Sequence, residues 1–482
     1  MKIPFKTVSN KLRYREEKNV YKEQLILGVV PTKRGFLSME EAKRQKDRFM
    51  AKIVSFFPEE TVKLVTIDDL AENGILFDKS LNPRVIAKMQ ENHVDALFVP
   101  FCDFGEEECA AGVAGALKVP TLVWGARDER PNSRAGRGRD TQCGIFAATK
   151  VMRRYGVKFS YIWNCETESE DFRTGYDRFV RTAAVVKALK HLRIAKIGDR
   201  PAPFMSVQTN EADLIAGIGA VTVPVDPAAI ARRAKRILEE DRADYREYAA
   251  DLLTRFDCSR EGEENVRKIA ALKIAMKETI LENGCTAAAT ECWSSFRNSL
   301  GVSPCAVLGE LSDDGIPVSC ECDVNGAVTM AILRALNLYR EPTFLADLTI
   351  RHPGDDNAEL LWHCGPFPYL LKEETCAVSL ESDQEQFALR QGHLTLCRFD
   401  DLDGKYYLFA GEGDTTEGPE TVGTYVYLKT DNWKRWEEKL VFGPYIHHIG
   451  GVYGGFKPVL REVARYMDFI FDDADEQGIY SL

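Results

Sequence analysis

From Gln24 onward the chain alternates short apolar runs with longer stretches in which apolar residues recur every three or four positions: LILGVVP, SMEEAKRQKDRFMAKIVSFF, TVKLVTI, NPRVIAKMQENH, DALFVPF, EEECAAGVAGALK and PTLVWG. Runs apolar almost without a break are strands buried on both faces; the longer stretches are helices. Their alternation predicts a parallel sheet. Loops at the carboxyl ends of such strands meet ligands, and Gly35, Asp103 and Arg127 sit just past such ends.

The same alternation restarts near residue 151 with VKFSYIWN, DRFVRTAAVVKALKHL, AKIGDR, FMSVQTN and VTVPVDPAAIARRAKRIL. A long charged helical stretch from about Asp241 to Glu282 leads to CTAAATECW, the strand-like IPVSCE and the helix NGAVTMAILRAL, so Glu321 falls at a strand's carboxyl end. After Pro342 the texture changes to strands without intervening helices: TFLADLTIR, ELLWHC, TCAVSL, LTLCRF, KYYLFAGEG and TYVYLK, with only VLREVARYMDFIF reading as a helix. The expected architecture is two doubly wound, Rossmann-like α/β domains, 1–150 and 151–340, followed by a mainly antiparallel, barrel-like β domain over 341–482.

Composition narrows the function. The formal charge of −11 repels nucleic-acid phosphates, and no stretch reaches the roughly 20 apolar residues needed to span a bilayer, so neither nucleic acid nor membrane is an expected partner. Thirteen Cys, several inside apolar runs, fit reduced thiols and a cytoplasmic protein better than a disulfide framework. No P-loop, GxGxxG after a strand, or GxSxG is present, which removes the motif-based case for kinase, dehydrogenase and hydrolase chemistry.

Five of the seven His lie in the C-terminal third, and four residues there stand out: Glu321 in SCECDVNGA, Asp347 in FLADLTIRH, His363 in LLWHCGPFP and His448 in YIHHIGG. Two carboxylates with two imidazoles suit a hard-to-borderline cation such as Mn²⁺, with Mg²⁺ or Co²⁺ as alternatives. A charge that follows an apolar β run is costly unless liganded or paired, which separates Glu321 and Asp347 from ordinary solvated carboxylates. Asp323 is the competitor for Glu321. His448 and His447 sit in an expected turn that continues GGVYGGF, whose glycines suit either an anion at the following helix start or a close backbone approach. Cys320 and Cys322 of CECD have no second Cys pair at zinc-finger spacing and read as packing residues. Arg127, Arg130, Arg134, Arg137 and Arg139 crowd one segment, which is either a solvated loop or a flap that touches an anionic substrate or an adjacent subunit.

These segments resemble the L-fucose isomerase and L-arabinose isomerase superfamily. SCECDVNGAVTMAILRAL and FLADLTIRH resemble the blocks whose acidic residues are both metal ligands and acid/base groups, which implies those roles for Glu321 and Asp347. LLWHCGPFP is similar to the arabinose-type block with a further metal-side His, here His363, and IHHIGGVYGGF resembles the region of the last ligand, His448. LGVVPTKRGFLSMEEA and PFMSVQTNEADL resemble substrate-pocket blocks and make Arg34 and Met205 pocket candidates, beside Trp293 and His447. Asp347 follows the fucose type and His363 the arabinose type, so no particular sugar carries over.

The resemblance implies an Mn²⁺-dependent aldose–ketose isomerase acting on an open-chain sugar through a cis-enediol, with no organic cofactor. It also implies a homo-oligomer, a hexamer, whose pocket a neighbouring subunit completes. An anionic sugar, phosphorylated or sulfonated like sulfoquinovose, is the alternative that the arginine-rich loop suggests. A non-catalytic sugar-binding sensor is the alternative of another class.

Overall fold

The computed structural model describes residues 22–130 and 138–478, which form two compact units, Glu23–Lys187 and Ala188 onward. The N-terminal arm, with Arg134 and Arg137 of the arginine-rich loop, lies outside the described residues.

In the first unit β1 (Leu25–Val29), α1 (Met39–Phe56), β2 (Val62–Val65), α2 (Asn82–Glu91), β3 (Ala96–Phe101), α3 (Glu107–Leu117), β4 (Thr121–Gly125), α4 (Thr141–Arg154), β5 (Phe159–Tyr161) and α5 (Glu170–Lys190) follow in order. The strands form one parallel sheet, β2-β1-β3-β4-β5, as the alternation predicts. The unit runs past residue 150 because β5 hydrogen-bonds to β4 and α5 brings Phe172 and Tyr176 against Trp124 and Phe98. Strand and helix periods continue unbroken through this stretch, so no break in hydropathy marks where the unit ends.

The second unit opens with β6 (Arg193–Ile197), α6 (Glu211–Ile218), β7 (Val221–Val225), α7 (Pro227–Glu239), α8 (Ala243–Arg255), α9 (Glu263–Glu282), β8 (Ala287–Thr290), α10 (Ser295–Leu300), α11 (Cys305–Asp313), β9 (Val318–Ser319) and α12 (Val324–Leu336). Its four strands are parallel in the order β7-β6-β8-β9.

The β-rich remainder contains β10 (Phe344–Arg351), β11 (Ala358–His363), β12 (Ser379–Glu381), β13 (Gln384–Ala388), β14 (His393–Leu402), β15 (Lys405–Thr416), β16 (Thr424–Lys429), α13 (Trp433–Phe442), β17 (His448–Tyr453), α14 (Lys457–Met467) and β18 (Ile470–Asp473). Strands β16-β11-β10-β17-β14-β15 close on themselves through antiparallel pairs, giving a six-stranded barrel; β13 and β18 attach in parallel at β16 and β15. One continuous apolar core joins barrel and second parallel sheet, from Ala195 and Ile197 through Val318 to Phe344, Leu396 and Ile449. Among the described residues no helix is long and apolar enough to cross a membrane.

Two local expectations change. A helix besides α14 is present, α13, started by Asn432, whose side chain accepts the Arg435 N–H. Trp433, Trp436 and Leu440 recur on one face of α13 at helical spacing, a signal that the surrounding strand-like texture hid. The segment after His447 is the central strand β17 rather than a turn. Its glycines serve close packing: a Cβ on Gly450 would meet Thr329 Cγ2 at 2.7 Å, and one on Gly451 would meet Phe344 Cζ at 2.1 Å.

Candidate functional site

Antiparallel register puts Asp347 of β10 directly beside His448 of β17. Glu321 reaches the same place from the parallel sheet, two residues beyond β9. It does so in an unusual backbone conformation, with φ of 56° at Glu321 and 57° at Cys322. Consecutive left-handed non-glycine residues store strain and persist where surrounding bonds enforce them. Here the Cys322 N–H donates to the Thr290 carbonyl at 2.8 Å and the Asp323 N–H to the Cys320 carbonyl at 3.0 Å.

His448 Nε2 lies 2.9 Å from Glu321 Oε2 and 3.5 Å from Asp347 Oδ1, and His447 Nε2 lies 3.7 Å from the same Asp347 oxygen. Asp347, His447 and His448 offer ligand atoms all within 4.8 Å of one another. Glu321 Oε2, Asp347 Oδ1, His448 Nε2 and His363 Nε2 are buried without an aligned hydrogen-bond partner; the short His448–Glu321 contact is charge against charge rather than a directed bond. Polar atoms buried this way are costly unless something binds them. Asp347 and His448 with His447 within that radius, and Glu321 on the other side of His448 Nε2, have the donor chemistry of a hard-to-borderline divalent cation site.

Behind the ring stands an ionic support. His448 Nδ1 lies 2.8 Å from Asp323 Oδ2. Asp323 also accepts the Gly326 N–H at 2.8 Å, capping α12, and pairs with Arg398, whose Nε donates to Asp400 at 2.9 Å. A side chain on Gly326 would meet Asp323 Oδ2 at 2.6 Å, so glycine there leaves the carboxylate room. Asp323 is therefore the group that holds His448, while Glu321 faces the converged atoms.

Electrostatics follow from this arrangement. Burial works against charge on His448, but the hydrogen bond to Asp323 and the nearby Glu321 carboxylate outweigh it and push the imidazole up to about 9. Burial likewise opposes ionisation of Glu321, yet His448, His363 and the Trp293 N–H hold its carboxyl below the usual range. Asp323 is held far lower, burial being overcome by Arg398 and His448. Burial, and then the His448 charge, push His447 down.

Around these groups stands an aromatic wall. Trp293 Nε1 donates to Glu321 Oε1 at 3.2 Å. Phe204 stacks on Trp293 with centroids 6.2 Å apart and meets His448 edge-on at 5.5 Å. Of the pocket candidates, Trp293 and His447 join the constellation. Met205, 67% exposed, does so only through its neighbour Phe204. Arg34 belongs to the first unit, where its guanidinium pairs with Glu106 at 3.0 Å and lies 4.3 Å from the Phe104 ring centre. His363 is buried with its ring centre 6.3 Å from that of His448. Its Nδ1 accepts the Cys364 N–H at 2.9 Å, which fixes the neutral ring's proton on Nε2. Phe204 and Arg398 were not singled out by the sequence reading, and Asp323 entered it only as the competitor for Glu321. An arginine inside the apolar LTLCRFD, which must be paired, was the available signal for Arg398.

Residues 28–190 match the N-terminal domain of the fucose/sulfoquinovose isomerase family. With the relatives that follow, this match supports the resemblance to the fucose isomerase-like superfamily. A sulfoquinovose isomerase of Priestia aryabhattai is 26% identical over 388 residues, covering 78% of this chain and 85% of the relative. One from Alkalicoccus urumqiensis is 27% identical over 337 residues, 68% of this chain and 73% of its own. A solved solute-binding protein of Bacillus halodurans C-125 with bound myo-inositol aligns over 66% of this chain and 91% of its own, at 12% identity and a TM-score of 0.18.

Proposed function

We propose that this protein is a metal-dependent aldose–ketose isomerase acting on an open-chain sugar through a cis-enediol. The observation that carries this reading is that unpartnered Glu321 and Asp347 oxygens both approach the buried His448 Nε2, in a chain whose relatives are sugar isomerases.

Glu321, Asp347 and His448 would hold a divalent cation, Mn²⁺ first and Mg²⁺ or Co²⁺ as alternatives. Such an ion supplies polarisation of a carbonyl and stabilises negative charge on adjacent oxygens. Asp323 takes the Nδ1 proton of His448 in a hydrogen bond, so that Nε2 presents its lone pair to the site once its own proton is released. Glu321, kept ionised by its neighbours, is the base for the C–H proton beside the sugar carbonyl, and Asp347 carries the proton between the two oxygens. His363, with its proton on Nε2, serves better as a hydrogen-bond donor toward the site than as a ligand. Trp293 and Phe204 cover the C–H face of the sugar and keep bulk water from the enediol.

An anionic aldose of the sulfoquinovose type is the substrate reading that the named relatives favour. The protein is further read as a cytoplasmic homo-oligomer, a hexamer whose pocket a neighbouring subunit completes; light scattering measures the subunit count. Incubation with Mn²⁺ in D₂O tests the reaction, using sulfoquinovose, fucose, arabinose and glucose in parallel. Solvent deuterium should enter the carbon beside the carbonyl, fastest in sulfoquinovose. Binding of a sugar without deuterium entry in any of them would leave the sensor reading instead.

A further inference from the structure

We propose that the thiols beside Glu321 form a second metal site, for a thiophilic cation of the Zn²⁺ or Cd²⁺ class, and that filling it draws Glu321 away from the first. Cys292 and Cys320 come from the loops that follow β8 and β9, and their sulfurs lie 2.9 Å apart. With the Glu321 carboxylate they offer three ligand atoms all within 4.8 Å of one another. Two ligands held at 2.0–2.3 Å from one zinc are at most about 4.6 Å apart, so small side-chain rotations bring all three onto one ion.

The surroundings are those of a held site. Glu291 accepts the N–H groups of Trp293 and Ser294 at 2.8 and 2.9 Å on one oxygen and that of Ser295 at 2.8 Å on the other, which pins the loop carrying Cys292. Cys364 touches Cys320 and lies 3.5 Å from Cys305, so a fourth ligand is at hand from the end of β11. Isolated core cysteines behave as small apolar fillers. In this protein the buried Cys285 and Cys322 are of that kind, their sulfurs resting on backbone carbonyls. Sulfurs brought together from four separate elements are a different arrangement. Binding needs no oxidant: M²⁺ displaces two thiol protons, forming two metal–sulfur bonds and releasing two H⁺.

Glu321 is common to both sites, since one oxygen faces His448 and the residue follows Cys320 directly. A soft cation seated on Cys292 and Cys320 therefore competes with a hard one for the same carboxylate. That consequence rests on the function proposed above, whereas the thiolate site does not.

The full chain, freed of metal by chelator under reducing conditions, is titrated with Cd²⁺. It is followed by thiolate-to-cadmium charge-transfer absorbance and by X-ray absorption at the cadmium edge. One equivalent should bind with sulfur in the first shell. The band should disappear in Cys292→Ser/Cys320→Ser and persist in Cys143→Ser, which changes an exposed thiol. Mn²⁺ binding, measured by equilibrium dialysis, should weaken on the order of tenfold or more once Cd²⁺ is bound. A wild-type first shell of oxygen and nitrogen only overturns the site without reference to any variant, and so does a band of full strength in the double variant. Unchanged Mn²⁺ affinity overturns the competition. A protein that binds Cd²⁺ through sulfur yet washes no deuterium into any sugar defeats the isomerase reading and leaves this site standing.

Discussion

Asp323 and His448, 125 positions apart in sequence, are joined at 2.8 Å between Oδ2 and Nδ1, both side chains fully buried. That bond selects which imidazole nitrogen faces Glu321 and Asp347, and Arg398 holds the carboxylate that makes it. Asn at 323 keeps the size but loses the charge that orders the ring and offsets Arg398. Asp323→Asn should weaken Mn²⁺ binding about 10–100-fold. It should also lower stability by about 3–5 kcal/mol, because a buried guanidinium loses half its counter-charge. Calorimetric titration with Mn²⁺ and denaturant unfolding of the same sample measure the two losses; unaltered affinity would mean that ring orientation comes from packing.

The metal-free protein should lose stability as pH rises. His448 is raised to about 9 in the fold against an ordinary value near 6.5, so its contribution is complete below about 6.5 and is lost as pH climbs through about 9. A shift of that size corresponds to about 3 kcal/mol, shared with the carboxylates it bridges and counted once. Glu321 and Asp323 are lowered, so their contribution runs the other way and is lost as pH falls below the ordinary carboxylate range. Urea midpoints from pH 5 to 10 should decline on the alkaline side in the metal-free protein. Mn²⁺ should flatten that decline, because a cation takes the place of the Nε2 proton.

Glu321→Gln removes charge and basicity at constant volume. Deuterium exchange into the sugar should fall by at least about 10²-fold, the lower range for a positioned acid or base. The fold should stay intact, although the metal-free variant should melt lower, because the buried His448 loses one of the carboxylates that pair with its charge. Wild-type exchange in a metal-loaded Gln variant would remove Glu321 from the base role.

Much of this layout was readable before the fold. Alternating periods announced both parallel sheets, and the loss of helical period after Pro342 announced the barrel, because period 2 and period 3.6 reflect which faces are buried. Glu321 and Asp347 stood out as charges beside apolar runs, and His448 as one of a His pair ahead of a glycine-rich stretch. What escaped has a common physical origin. Asp323 was visible only as a competitor for Glu321, because its supporting role depends on Arg398, 75 positions away, and a pair so separated leaves no local pattern. Phe204 looks like any apolar loop residue until its partners Trp293 and His448 arrive from other elements. The glycines of β17 read as a turn because flexibility and close approach call for the same residue.

Those glycines give a separate test. A methyl group on Gly451 would stand 2.1 Å from Phe344 Cζ, inside the core shared by barrel and sheet. Overpacking of this kind costs about 1–3 kcal/mol. Gly451→Ala should therefore lower the melting temperature, whereas Gly35→Ala, with nothing within 4 Å of its added Cβ, should leave it unchanged.

Trp293 makes the subtlest contribution, one donor hydrogen bond to Glu321 at 3.2 Å from a ring that is itself half exposed. A donor to the ionised form favours that form, so removing it raises the proton affinity of the carboxylate. Trp293→Phe keeps an aromatic ring against Phe204 and deletes only the N–H. The acid limb of the kcat/KM profile, which reports the base in the free enzyme, should move to higher pH. The movement should be small, because burial and the His448 contacts outweigh the indole among the influences on Glu321. KM at the pH optimum should stay close to wild type, since the stacking surface survives. A higher KM with an unmoved acid limb would assign Trp293 to sugar contact alone and leave the protonation of Glu321 to His448.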